Sequence, residues 1–108
     1  MKRTPIKRKR RSAAEWARIY GSKDRVRRMK MRPCDGCGRV PTEEWPNENA
    51  HTENGGMGRK AGWETVVTLC HACHYLLDDV WGSVEMFDRV KGVDLRAVAR
   101  LLSEEVPA

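Results

Sequence analysis

The sequence predicts a small α+β domain, cross-linked through its cysteines and flanked by helices at both ends. Three observations carry this expectation. Cys34-x-x-Cys37 and Cys70-x-x-Cys73 are two pairs of equal spacing. A β-branched run, Thr65-Val66-Val67-Thr68, stands just before the second pair and reads as a strand. Apolar residues at helical spacing, behind serine or aspartate caps, fill the segments before the first pair and after the second.

The elements follow in chain order. Residues 1–11 form a basic arm without hydrophobic periodicity, whose like charges repel, and it is expected to be disordered when free. Its Lys7, Arg8, Lys9, Arg10 and Arg11 are candidate phosphate contacts, acting by counterion release; the plainer reading is a solvated tail. Residues 12–32 form a basic helical segment. Ser12-x-x-Glu15 fits a capping box and starts a helix with Trp16, Ile19 and Tyr20 on its apolar face. Gly21 interrupts that helix. Ser22 caps a second one carrying Val26 and Met29, with Arg25, Arg27, Arg28 and Lys30 around it as either a phosphate-tracking or a solvated face. Pro33 ends the helical stretch.

Residues 33–81 form the cysteine-bearing core. Cys34 to Gly38 is a tight turn, residues 41–49 read as a loop, and a short strand is expected around Asn49 to Thr52. Asn54 to Gly62 is a glycine-rich loop. The strand through Glu64 to Leu69 leads into a helix from Cys70 that stops at Gly82. Residues 82–108 hold two further helices, capped by Ser83 and Asp94, whose apolar stripes pack on the core.

Charge is divided unevenly. Residues 1–32 carry fourteen Lys or Arg against two acids, a net of +12, and residues 33–108 carry seven against thirteen, a net of −6. A basic arm on an acidic body points to phosphate as the arm's partner and argues against a surface that binds nucleic acid everywhere. No apolar run approaches the ~20 residues of a membrane span. The basic start has no apolar stretch behind it, so a secretory signal is not expected, and a reducing, cytoplasmic setting is.

In that setting two matched cysteine pairs bind metal rather than form disulfides or a redox centre. Cys34, Cys37, Cys70 and Cys73 are therefore expected to hold one zinc ion as four thiolates. Such a site is closed and structural. Phe87 is the single phenylalanine, so a metal cross-link would support a thin core.

There are three histidines: His51 lies between the pairs, His71 within the second and His74 directly after it. Cys34-x-x-Cys37, then Asn49-Ala50-His51, then Val66-Val67-Thr68-Leu69-Cys70-His71-Ala72-Cys73-His74, resembles the HNH endonucleases of the zinc-knuckle type over roughly residues 33–81. His51 to Ala61 and the Lys-Arg-rich start also resemble short bacteriophage-encoded members.

The resemblance implies a ββα-metal (His-Me finger) core and hydrolysis of DNA phosphodiester bonds, with duplex DNA as the expected partner. His51 takes the place of the catalytic general base, and His74 that of a ligand to the catalytic metal. Asp78, four residues on and on the same helix face, is added as a second ligand from spacing alone. The expected ion is Mg²⁺ or Mn²⁺, and histidine ligation also admits Zn²⁺ or Ni²⁺.

Two positions depart from the pattern. Ala50 stands where members often carry a metal ligand, and Thr65 aligns near the asparagine that orients the base. Asn49, Glu53 and Asn54 are the candidate substitutes. Arg59 and Lys60 are candidate phosphate clamps, and His71 is expected to point elsewhere than His74. By analogy with phage members, a terminase is a candidate partner, with the host cytoplasm as the location. The alternative function is a non-catalytic, zinc-stabilised nucleic-acid-binding module.

Overall fold

A computed structural model describes residues 11–53 and 61–108. The fold is α+β, with helices, a two-stranded sheet and a four-cysteine cluster. None of its described helices is long and apolar enough to cross a membrane.

Local chemistry sets the helix starts. Helix α1 (Ala13–Tyr20) begins where the Ser12 hydroxyl accepts from the Glu15 backbone N–H, and α2 (Lys23–Lys30) begins with the same bond from Arg25 to Ser22. Such caps contribute roughly 1 kcal/mol each. Gly21, at φ 85°, turns the chain between them, in a region that L side chains rarely enter.

Strand β1 (Glu48–His51) pairs antiparallel with β2 (Val66–Leu69). The predicted second strand begins later than expected, because Trp63–Thr65 forms a 3-10 turn. Paired residues share a face of the sheet, so the register fixes two sets. Glu48, Ala50, Val67 and Leu69 lie on one face; Asn49, His51, Val66 and Thr68 lie on the other. Every residue of β2 is buried, because both faces of the strand are covered.

Helix α3 (His71–Tyr75) follows β2 directly and continues through wider π-type turns over Leu76–Trp81 to Gly82, which is left-handed at φ 61°. The expected single α-helix is thus α-helical only in its first part. Helices α4 (Val84–Lys91) and α5 (Leu95–Glu105) start at Ser83 and Asp94 as predicted.

Two clusters form the core. Ala50, Val67, Leu69, Leu77, Phe87, Leu95 and Ala99 pack with three of the cysteines on one side of the sheet. Met29, Val66, Leu102 and Val106 pack on the other.

Arg25 departs from expectation. Instead of joining a solvated or phosphate-facing stripe on α2, it is fully buried. Its Nε donates to the Val106 carbonyl at 2.6 Å, and its guanidinium lies 4.9 Å from the centre of the Trp63 ring.

Candidate functional site

The first cysteine pair is attached to the sheet by ordinary hydrogen bonds. Asp35 donates its N–H to the Thr68 carbonyl at 2.7 Å, and its carboxylate accepts the Thr68 N–H at 2.8 Å. Arg32 grips the same carboxylate with both terminal nitrogens, at 3.0 and 3.2 Å. The buried Thr68 hydroxyl donates to the Met29 carbonyl at 2.7 Å. The second pair follows β2 and opens α3, where the Cys70 sulfur accepts the Cys73 N–H at 3.4 Å.

These supports bring the four sulfurs within 4.8 Å of one another, and Cys37 Sγ lies 3.7 Å from Cys70 Sγ. Thiolates ~2.3 Å from a central zinc stand about 3.8 Å apart at the corners of a tetrahedron. The observed separation matches that geometry, and all four cysteines are free of disulfides. The cluster is placed to hold a structural metal such as zinc.

Electrostatics fit the same role. Burial works to raise the Cys34 thiol, but the backbone N–H groups of Cys70, Cys37 and Gly36 outweigh it and bring the pKa down to about 7. Burial pushes Cys73 up, and the neighbouring sulfurs of Cys70 and Cys34 add to the effect. A site that prepares the Cys34 thiolate while burial disfavours those of Cys70 and Cys73 favours a bound cation. Among the described residues, these cysteines are the one group of three or more His, Cys, Asp or Glu whose ligand atoms converge so closely.

His74 is the second centre. Its Nε2 lies 3.0 Å from Asp78 Oδ2, so the pair expected from helical spacing is in contact. Its Nδ1 lies 2.8 Å from Glu48 Oε1. His71 does not point elsewhere: its Nδ1 lies 3.0 Å from the other oxygen of Glu48. Residues three apart on a helix share a face, so one carboxylate spans both rings. Burial pushes the Glu48 carboxyl up, but the hydrogen bonds from His74 and His71 outweigh it and hold the group below its usual range.

Glu48 was not among the expected site residues. The signal that could have found it is period-two alternation: it lies two residues before Ala50, on the same face of β1. The substitutes expected from sequence sit otherwise. Glu53 pairs with Arg96, and Asn49 donates to the Val26 carbonyl at 3.3 Å. Asn54 lies outside the described residues.

His51 stands on the opposite face from Glu48, under α1. Its Nε2 lies 2.8 Å from the Ile19 carbonyl, and its ring meets the edge of Tyr20 at 5.3 Å between centres. A carbonyl only accepts, so Nε2 carries the proton and Nδ1 is the basic nitrogen. His51 Nε2 meets the Ile19 carbonyl rather than the Thr65 hydroxyl. The Thr65 hydroxyl donates instead to the Gly62 carbonyl at 2.8 Å, closing the 3-10 turn. The structure brings His74, Asp78, His71 and Glu48 together but turns His51 to the other side of the sheet.

Lys7, Arg8, Lys9, Arg10, Arg59 and Lys60, the candidate phosphate contacts, lie outside the described residues. Arg11 is described and exposed. Comparison with family models finds no match, and neither does comparison with characterised proteins or with solved structures.

Proposed function

We propose that this chain is a metal-dependent endonuclease or nickase of the HNH type, hydrolysing DNA phosphodiester bonds with His51 as general base. The observation that carries the reading is the bond from His51 Nε2 to the Ile19 carbonyl, 2.8 Å long. It fixes the tautomer in which Nδ1 can accept a proton from an attacking water. The strand–strand–helix order, with His51 ending β1 and His74 on α3, supports the ββα-metal form of the core.

His74 and Asp78 would hold a divalent ion, Mg²⁺ or Mn²⁺ in the first instance. Glu48 meets the other ring nitrogen of His74, Nδ1, and would orient that ring as its hydrogen-bond partner. Such an ion would stabilise charge on the scissile phosphate and the leaving oxygen. The four cysteines carry no chemistry in this scheme; they fix the start of α3 and hence the position of His74.

A second reading has its own observation. His51 and His74 occupy opposite faces of the sheet, as expected of a zinc-stabilised module that binds nucleic acid without cutting it. One assay separates the two. With Mg²⁺ or Mn²⁺ the purified protein should nick supercoiled plasmid, and His51→Ala should abolish nicking while keeping its zinc. Nicking by His51→Ala at the parent rate would remove His51 as the base. Absence of nicking with any divalent ion, alongside salt-sensitive DNA binding, would leave the binding module.

A further inference from the structure

An open groove of about 940 Å³ runs along the outer edge of β1, between the α1–α2 pair and the first turn of α3. Three aromatic side chains line it: Trp16 and Tyr20 from α1, and Trp45 from the loop before β1. Three cations line it as well: Arg11, Lys30 and Arg39. We propose that this groove binds single-stranded DNA, stacking unpaired bases on its aromatic rings and pairing the backbone phosphates with its cations. The choice of DNA rests on the endonuclease reading; the choice of a single strand rests on the groove.

The chemistry of the lining argues for an unpaired strand. A base within a duplex has both faces covered by its neighbours and reaches an aromatic ring only if it is extruded. A single strand offers a face at every nucleotide, and its phosphates need cations at intervals rather than a continuous basic surface. Trp45 is 69% exposed, a costly position for a large aromatic unless a partner covers it. Trp16 and Tyr20 are half-buried neighbours, their rings tilted by 46° with centres 5.5 Å apart, so each offers a ring held in place by the other.

The wall bearing Arg39 and Trp45 is built, not slack. Asn47 is fully buried, and its amide nitrogen donates to the carbonyls of Arg32 and Arg39 at 2.8 and 3.1 Å. Its oxygen accepts from Arg39 Nη1 at 3.0 Å, which holds that guanidinium at the rim. Its backbone N–H donates to the Lys30 carbonyl, tying this wall to α2. The one acid in the lining, Glu48, has both carboxylate oxygens hydrogen-bonded to His71 and His74.

The groove also leads somewhere. At one end stands Tyr20, in edge contact with His51. Arg11, one of its lining cations, is the last residue of the basic arm in the sequence.

The test is fluorescence anisotropy on the zinc-loaded full chain without added Mg²⁺ or Mn²⁺, so that binding is read apart from cleavage. The probes are labelled oligothymidylate of about 12 nucleotides, the matching oligouridylate, and a duplex of equal length. Oligothymidylate should bind more tightly than the other two, and Trp45→Ala should weaken it about tenfold, the loss of one stacked base. Val90→Ala, on the exposed side of α4, should bind as the parent. The proposal is overturned if Trp45→Ala binds oligothymidylate as the parent does, or if duplex or oligouridylate binds more tightly. Plasmid nicking in Mn²⁺ is measured on the same proteins. Nicking without the Trp45 effect removes the groove and keeps the nuclease; the Trp45 effect without nicking removes the nuclease and keeps the groove as a binding site.

Discussion

Phe87 stands where a side chain on residue 36 would have to go. A β-carbon added to Gly36 would lie 2.6 Å from Phe87 Cζ and 3.1 Å from Cys73 Sγ. Glycine is required here by the close approach of the core to the cysteine knuckle. Gly36→Ala must displace the ring or the sulfur, and overpacking of this kind costs ~1–3 kcal/mol. The variant should melt at lower temperature and yield its metal to a competing chelator sooner than the parent. A Gly36→Ala protein with parental melting and chelator resistance would show that the knuckle accommodates the extra carbon.

Metal removal should have a larger effect. Structural zinc sites in small peptides supply about 10–16 kcal/mol of apparent binding free energy at pH 7, which becomes folding free energy. Three of the four cysteines here are buried in the main core cluster. An excess of chelator should therefore abolish the cooperative thermal transition, and a thiol-reactive zinc assay should return one metal per chain. Cys73→Ser, at the most interior part of the cluster, should reproduce the chelated state. Retention of a cooperative transition after complete zinc removal would mean that the hydrogen bonds between Asp35 and Thr68 suffice.

Glu48 predicts a pH dependence. Its pKa is lower in the folded chain than its ordinary value of 4.5. The folded state thus takes up this proton less readily than the unfolded one, and the contribution is complete above about pH 4.5. It fades as pH falls through the lower folded value. The side chain is 38% exposed, so screening limits the effect to about 0.5 kcal/mol. Glu48→Gln should be less stable than the parent by that amount at pH 7, and the gap should narrow as pH falls below the ordinary value of 4.5. Denaturant titrations at three pH values measure it. A gap constant with pH would assign the loss to packing rather than to charge.

The local features of this fold were legible in the sequence because they are decided within a few residues. Ser12, Ser22, Ser83 and Asp94 each cap the helix expected of them, and the two cysteine pairs converge. What was not legible depends on which distant backbone comes near. The carbonyl that fixes His51 belongs to Ile19, thirty-two positions away. Glu48 reaches His71 and His74 across the register of a sheet whose pairing no local pattern states. Thr65 aligned with an orienting residue, yet its hydroxyl is used within its own turn. Arg25 matched a solvated helical stripe until the bend at Gly21 turned α2 inward.

That burial of Arg25 sets the last expectation. One side chain links α2 to the end of α5 through the Val106 carbonyl and to the 3-10 turn through the Trp63 ring. Burial pulls its pKa down from the usual value, and the charge of Glu64 opposes the shift. Removing the side chain leaves a cavity and an unpaired carbonyl, so Arg25→Ala should cost about 2–4 kcal/mol. Arg25→Met keeps most of the volume and loses the hydrogen bond and the ring contact, so it should cost about 1–2 kcal/mol. Arg25→Lys should fall nearer to Met than to the parent, because an ammonium cannot lie flat on the indole and donate from the Nε position at once. Arg27→Ala, exposed on the same helix, should stay within about 0.5 kcal/mol. Urea denaturation of the four variants measures the series. Equal losses for Arg25→Ala and Arg27→Ala would show that the C-terminal helix is held by Leu102 and Val106 alone.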